Sequence, residues 1–531
     1  MFKIPFMVLI FFQIFSCSSL YTCGFSSTSS KPYTISGPLS RDSAYKSIRI
    51  TPVYGNLYLD NNYVDSFYYD IVNGALSWFA NTISIKRLKK SLSLSKLLGK
   101  QCGNYNISSE FLTTDYPDTD ILIIINVIDA NNGTSAESFL CAREETTYMP
   151  LIGLINFLIS DFNEHPYEFL FSTMVHQLSH ILVFNEEYFD KFQKPDGSLY
   201  TYDEVVQSYS ERDTTVFKLQ TPNVVAKAQE LFDCSTITGV ELEPSSKSHW
   251  GKRLMNDEFM VIDSEIHDIV YSSVTLALFE DSGWYQVDYS YASLVLWGSK
   301  QGCLFTSQKC VINQVATNQL FNTDKNNKQC DYKRLNKGIT NIKKYSEDLV
   351  AAFQYFSDPK EGGDLYADYC PFTLPQANGN CRGLGAGSTE IIEKYGENVG
   401  ENGRCIEGNF TLSGDTFWHA SCHQVACYES WVDIKIGDIT VSCPFSGGFI
   451  GVSGYKGFVD CYYSNKLCQQ KPCPNACSGQ GLCMQGTCRC DDGTIGGDCR
   501  QYSKTPEDSN TISHSPKLSL SLLTALLLQA L

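Results

Sequence analysis

Positive charge is scarce in this 531-residue chain: 41 Lys and Arg stand against 58 Asp and Glu, a net charge of −17. Such a field repels phosphate backbones and argues against a nucleic-acid partner. Cysteine is scarce in one half only. Five of the 22 lie between Cys17 and Cys234, and the other seventeen fall between Cys303 and Cys499. A reducing compartment would not favour that second group unless it held metals, so the distribution points to export. Outside the termini no stretch has the roughly eighteen apolar residues of a spanning helix, and no repeat of solenoid length occurs. Hydrophobic residues, by contrast, make up 43% of the chain, enough for substantial cores, which excludes a largely disordered protein. The length suggests two to four folding units.

Both ends fit export. Lys3 precedes an apolar run, Ile4 to Phe15, broken only by Gln13, and small residues follow at Ser16 to Ser19. This is a signal-peptide pattern, with cleavage expected near residues 16–24. At the other end a polar stretch, Thr505 to Lys517, precedes the Leu-rich run Leu518 to Leu531. Small residues, a polar spacer and a terminal apolar tail form a GPI-attachment signal. Sequons at Asn106, Asn132 and Asn409 offer glycosylation sites. The expected location is the extracellular face of the plasma membrane, or the medium.

The pattern along the chain is α+β. Residues 1–19 are the signal peptide and 20–44 a Ser/Thr-rich leader, followed by subdomains at 45–184 and 185–300. A Cys-rich, mainly β domain follows at 301–465, then a compact module at 466–500 and a polar stalk with hydrophobic tail at 501–531. The β-branched run from Ile121 to Val127 predicts a buried strand. Helices are predicted at 167–184 after Pro166, at Val224–Phe232, and at Ser272–Asp281 ended by Gly283. Trp431 to Ile436 alternates as a strand does.

The chemistry concentrates on the helix at 167–184. It is apolar around most of its circumference and is therefore expected to be buried. One polar stripe, Thr173, His176, Gln177 and His180, shares a face. Histidines at i and i+4 can aim both imidazoles at one point, as H-E-x-x-H zinc enzymes do. Here the pattern is H-Q-L-S-H, and its spacing alone fits a satisfied pair of core histidines equally well. A second H-x-x-x-H, His419 to His423, lies among cysteines without a helical pattern and reads as structural.

Several ordered landmarks break the tie. They are His176-Gln-Leu-Ser-His180-Ile-Leu-Val-Phe184, Gly239-Val-Glu-Leu-Glu243 with Ser248-His249-Trp250, Glu258-Phe-Met260, and Ser273 to Tyr285 followed by Trp297-Gly298. Through them residues 45–465 resemble the leishmanolysin family of surface zinc metalloendopeptidases, of metzincin type. The resemblance implies a two-part zinc domain around a central buried helix and a single Zn²⁺ held by His176, His180 and His249. It also implies a Met-turn at Met260 and peptide or protein substrates. Cys473, Cys477, Cys483, Cys488, Cys490 and Cys499 leave gaps of three, five, four, one and eight residues. That spacing resembles an EGF-like module, which implies the pairs 473–483, 477–488 and 490–499; a zinc cluster is the rival, disfavoured by the signs of export.

Two positions depart from the family pattern. Val183 replaces the glycine after the helix, so the helix exit is expected to be rebuilt. Gln177 replaces the catalytic Glu, and a carboxamide can orient a water but cannot take its proton. Glu186 and Glu187 lie just beyond, with nothing in the sequence to bring either to the metal. The leader has no clear inhibitory free-cysteine motif, Tyr21-Thr-Cys23-Gly24 being a poor match. Two functions are therefore carried forward: an impaired surface zinc endopeptidase, and a pseudopeptidase that binds peptides or surface partners through its Cys-rich and EGF-like modules. Both have a membrane tether at the C-terminus.

Overall fold

A computed structural model describes residues 21–502, except 26–30, 36–38, 60–63, 65–66, 104, 129–133, 159–166, 265–269, 326–327, 383–393, 401, 463, 470–480, 485–486, 491–493 and 496–500. The first layer is a five-stranded sheet. Its strands are β1 (Tyr33–Ile35), β2 (Ile50–Leu57), β3 (Ile121–Ile128), β4 (Ala136–Glu144) and β5 (Pro150–Leu158), in the order β1-β4-β5-β3-β2. β4 runs antiparallel to β5, whereas the β3 pairings with β5 and β2 are parallel. The predicted run 121–127 is β3, and its unbroken apolar character has a simple cause. Ile121, Ile123, Ile125 and Val127 enter one core, and Leu122 and Ile124 enter a second on the opposite face.

Helix α1 (Tyr167–Leu182) lies across this sheet, two residues shorter than predicted, and every side chain from Phe169 to Leu182 is buried. Close approach is possible because β5 has Gly153 beneath the helix: a Cβ there would sit 2.5 Å from Ile181 Cδ1 and 2.7 Å from its Cγ2. The rebuilt exit expected from Val183 is present. Val183 keeps a negative φ, and Val183 and Phe184 both donate to the Ser179 carbonyl. Two carbonyls of the last turn, Ile181 and Leu182, accept from the hydroxyls of Tyr188 and Tyr285.

Helices α2 (Pro222–Phe232) and α3 (Ser273–Asp281) appear where predicted, with Pro222 in the first turn of α2, Ser272 capping α3, and Gly283 left-handed just after it. The turn 258–261 is tied to α3 by one buried carboxylate. Glu258 accepts from Met260 N (2.6 Å), Ser272 Oγ (2.7 Å) and Thr275 Oγ1, and Thr275 Oγ1 in turn accepts from Trp250 Nε1 (2.7 Å). Burial pushes the Glu258 carboxyl up to about 7 against the pull of those donors.

The large core continues past residue 300 to Phe372. Beyond it six antiparallel strands form a second sheet: β6 (Gly403–Gly408), β7 (His419–Cys427), β8 (Trp431–Ile436), β9 (Ile439–Pro444), β10 (Phe449–Gly451) and β11 (Phe458–Asp460). Their order is β9-β8-β7-β6-β11-β10. β8 coincides with the predicted strand and buries Val432, Ile434 and Ile436. Disulfides staple this half: Cys310–Cys370, Cys330–Cys405, Cys381–Cys422, Cys427–Cys468 and Cys443–Cys461. Cys234–Cys303 and Cys102–Cys141 lie earlier. A hairpin, Gly481–Met484 with Thr487–Cys490, is described in the last segment. The side chains that would make the pairs 473–483, 477–488 and 490–499 lie outside the described residues, as do Asn132, the signal peptide and the hydrophobic tail. Among the described residues no helix is long and apolar enough to cross a membrane.

Gly153→Ala should destabilise the protein by about 1–3 kcal/mol, because the added methyl meets the whole Ile181 side chain; a shifted denaturant midpoint with unchanged slope would register it. Glu258 generates a pH-dependent prediction. Its carboxyl titrates near 4.5 when unfolded and about 7 when folded. Across that window the folded state holds a proton that the unfolded state has released, so this group's contribution to stability falls as pH rises. Glu258→Gln lacks that slope. The stability gap between wild type and variant should narrow by about 2–3 kcal/mol between pH 4.5 and 8; parallel pH profiles would show a carboxyl ionised throughout.

Candidate metal centre

α1 places His176 and His180 one turn apart on its polar stripe. The third histidine comes from a loop held at both ends. Glu243 N donates to the His249 carbonyl (2.9 Å), and Trp250 N donates to the Met260 carbonyl (3.0 Å). The Glu243 carboxylate gathers the tip of this loop by accepting from Ser245 N and Oγ and from Ser246 N and Oγ. The three imidazoles converge: His180 Nε2 is 3.0 Å from His176 Nε2 and 3.1 Å from His249 Nε2.

The outer ring nitrogens fix which atom faces inward. His176 Nδ1 is 2.5 Å from the Phe259 carbonyl, His180 Nδ1 is 2.8 Å from the Phe184 carbonyl, and His249 Nδ1 is 3.1 Å from Ser246 Oγ. A carbonyl can only accept, so Nδ1 of His176 and of His180 carries the proton and a lone pair remains on each Nε2. Burial keeps the rings neutral. It pushes His176 down to about 4 and holds His180 and His249 well below the usual histidine range, helped at His180 by repulsion from His176 and His249 and at His249 by repulsion from His176. Neutral imidazoles with lone pairs aimed at one point are the donor set of a transition-metal cation. Met260 is fully buried, and its turn reaches the site through the Phe259 carbonyl.

Gln177 lies beside this centre, and its role involves a residue that the sequence reading passed over. Its Nε2 is 3.3 Å from Cys23 Sγ and 3.4 Å from the Ala136 carbonyl. Cys23 Sγ is itself 3.5 Å from His180 Nε2, and the four donor atoms of Cys23, His176, His180 and His249 lie within 4.8 Å of one another. The expectation that the Cys23 segment is a poor match for a cysteine at the site is therefore overturned. Among the cysteines whose side chains are described, Cys23 is the one outside the disulfides, and the leader carries it straight to the histidines. The available signal was parity: with Cys17 set aside in the expected signal peptide, an odd number of the chain's 22 cysteines remains.

The leader lies in a cleft with two walls. Cys23 pairs with Ala136 at the start of β4, where Gly24 N donates to the Ala136 carbonyl (2.9 Å). On the other side Cys23 N donates to the Ile262 carbonyl (3.1 Å), and Tyr21–Thr22 pairs with Asp263–Ser264. Phe25 stacks flat on His180, with ring centroids 4.0 Å apart, and β1 continues along the same edge of β4.

The other predicted residues are elsewhere. Glu186 accepts from Tyr202 Oη (2.6 Å) and Lys247 Nζ (2.9 Å), and neither it nor Glu187 belongs to the cluster. His419 stacks on Tyr395, and His423 bonds Ser421 Oγ and the Lys435 carbonyl within the second sheet. Asn106 is exposed. Asn409 is half-buried, with its Oδ1 accepting from Phe458 N.

Comparison with known proteins points to one family. The leishmanolysin peptidase family profile matches residues 61–496. The chain is 27% identical over 370 residues to a leishmanolysin homolog of Crithidia fasciculata, covering 67% of this chain and 55% of that protein. It is 26% identical over 373 residues to leishmanolysin of Leishmania tropica, covering 67% and 54%. A leishmanolysin-like peptidase of Drosophila melanogaster is 24% identical over 440 residues, covering 67% and 62%. The chain thus spans somewhat over half the length of these relatives. With a profile match over most of its length and a buried His/Cys cluster at its centre, the chain belongs to the leishmanolysin family of metallopeptidases.

Proposed function

We propose that this chain is a cell-surface, leishmanolysin-like zinc-binding ectodomain whose peptide-bond hydrolysis is severely impaired. The observation that carries the metal reading is the convergence of three buried imidazole Nε2 atoms, two with lone pairs fixed by carbonyl-bonded Nδ1 atoms. His176, His180 and His249 would hold one Zn²⁺, with Met260 flooring the site. When bound, such an ion lowers the pKa of water and polarises a scissile carbonyl.

The chain's own residues supply little of the proton transfer that hydrolysis needs. Gln177 occupies the general-base position and can orient a water by hydrogen bonding, but its carboxamide cannot accept the proton. Among the described residues the cluster holds no carboxylate to replace it. The alternative reading, a pseudopeptidase acting as a surface adhesion or peptide-binding protein, is favoured by the leader lying along the edge of β4. An extended peptide would pair with that same edge. In both readings export fits the seven described disulfides. Surface partners would meet the Cys-rich and EGF-like regions, glycans would sit on Asn106, Asn132 and Asn409, and the hydrophobic tail would be exchanged for a lipid anchor.

Metal content and peptide cleavage test this together. The purified ectodomain should hold one zinc per chain. To keep the leader thiol from masking the cleft, cleavage is compared in a Cys23→Ser background, where adding Gln177→Glu should raise turnover by about 10²- to 10⁴-fold. Equal chelator-sensitive turnover with Gln or Glu at 177 would overturn the impairment. Lack of stoichiometric zinc would overturn the ligand assignment, His249 included.

A further inference from the structure

Positive charge, scarce over the whole chain, is concentrated on one ribbon. Between Asp70 and Glu110 stand six Lys and Arg, four of them in Lys86-Arg-Leu-Lys-Lys90, and no Asp or Glu. The strand Ile83–Leu88 carries the start of this run and pairs with the edge strand Arg41–Ser47, where Tyr45 lies opposite Lys86 with its ring centre 5.3 Å from the ammonium. Arg87 Nε donates to the Ser47 carbonyl (2.6 Å), and Lys89 N donates to the Ser40 carbonyl (2.9 Å). Leu88, Leu92, Leu94 and Leu97 are buried in the second core, while Ser91 and Ser93 between them are exposed. The basic side chains are therefore carried on a fixed track. The acids that reach the ribbon are already engaged. Asp42 accepts from Lys46 Nζ (2.9 Å), and that bond, with Lys89 and Arg49 adding to it, holds its carboxyl below the usual carboxylate range. Arg49 bridges Asp118 (2.8 Å) and Asp120 (2.9 Å). Lys86, Lys89 and Lys90 are exposed, and among the described residues none of the three is paired with a carboxylate. The patch ends at Ser93, which lies opposite the exposed Asp115.

We infer that this ribbon is a docking surface for a sulfated polysaccharide, with Lys86, Lys89 and Lys90 supplying the cations. This rests on the reading of the chain as a cell-surface protein and adds a ligand class to it. Basic runs of this length take polyanions such as heparin or nucleic acid, and location chooses between them. Export separates the chain from nucleic acid, and anionic phospholipids belong to the cytoplasmic leaflet. Sulfated glycans are the polyanions that a surface chain meets. Lysines that serve only solubility need no clustering, and a net charge of −17 already keeps copies of the chain apart. An extended backbone advances about 10 Å from Lys86 to Lys89, so the cations are spread along a track that suits a linear polymer. The acidic remainder of the molecule repels the same polymer and confines its contact to this ribbon.

The test uses the purified chain and immobilised heparin as the probe. Wild type should be retained at physiological salt. The triple variant Lys86→Gln, Lys89→Gln, Lys90→Gln should bind about ten-fold more weakly or worse, with the slope of log affinity against log salt reduced by about 2. A control of equal charge change among lysines exposed elsewhere, Lys325→Gln, Lys343→Gln, Lys344→Gln, should bind as wild type does. Failure of wild type to bind, equal loss in the two triples, or equal binding to chemically desulfated heparin would overturn the inference. So would binding to phosphatidylserine vesicles in place of heparin. Should the first triple misfold, amine acetylation of wild type decides by itself: bound heparin should shield Lys86, Lys89 and Lys90 but not Lys325, Lys343 and Lys344, and unshielded ribbon lysines overturn the inference. Surface biotinylation of cells that make the full chain separates the two readings. A surface chain that ignores heparin overturns this inference alone, whereas a chain confined inside the cell overturns the surface reading and the glycan with it.

Discussion

Three buried imidazole nitrogens converge, His180 Nε2 lying 3.0 and 3.1 Å from its two neighbours, and those of His176 and His180 face each other as lone pairs. Left alone this is repulsive: acceptors face acceptors, and protonation to relieve the conflict is opposed by desolvation. The fold tolerates the convergence because each outer nitrogen is engaged by a partner from a different element. The turn 258–261 supplies the Phe259 carbonyl, the exit of α1 supplies the Phe184 carbonyl, and the loop gathered by Glu243 supplies Ser246. Those partners are fixed in turn by Glu258, by the double bond to the Ser179 carbonyl and by the backbone pairing around Trp250. These contacts together hold an arrangement of donors that could take a cation.

The departures from the family pattern then fit one structure. Val183 stays out of the left-handed region because the exit of α1 closes as a wider turn, capped by tyrosine hydroxyls. Gln177 directs its amide at Cys23 and Ala136, so the leader and the helix are joined beside the histidines. The disulfides do a separate job. Five of the described seven lie wholly beyond residue 303, four of them tied to the second sheet and Cys310–Cys370 to the large core, while the half that carries the histidines relies on its hydrophobic cores, with Cys102–Cys141 alone inside it.

Much of this is legible in the amino-acid sequence. The helix at 167–184, the strands at 121–127 and 431–436 and the helices near 224 and 272 follow from periodicity and from Pro, Ser and Gly placed as stops and starts. These are local signals, and local signals survive folding when the tertiary context agrees with them. The histidine spacing gave two of the three convergent nitrogens, and the third needed the ordered landmarks of the family. Cys23 was missed because its importance is not local. A Tyr-Thr-Cys-Gly tetrapeptide has no spacing to read, and it meets His180 across 157 residues of chain. Glu258 was noticed only as part of an approach to Met260, because nothing in sequence distinguishes a surface carboxylate from one that four groups converge upon.

The sequence by itself determined that this is an acidic chain with an apolar histidine helix, a cysteine-rich C-terminal half and a carboxamide, Gln177, between the paired histidines. Those properties reside in composition, period and single residues. Only the tertiary structure decided what the carboxamide does instead. Hydrogen bonds and lone pairs act over about 3 Å, and no reading of order along the chain reveals which groups the folded backbone brings within that distance.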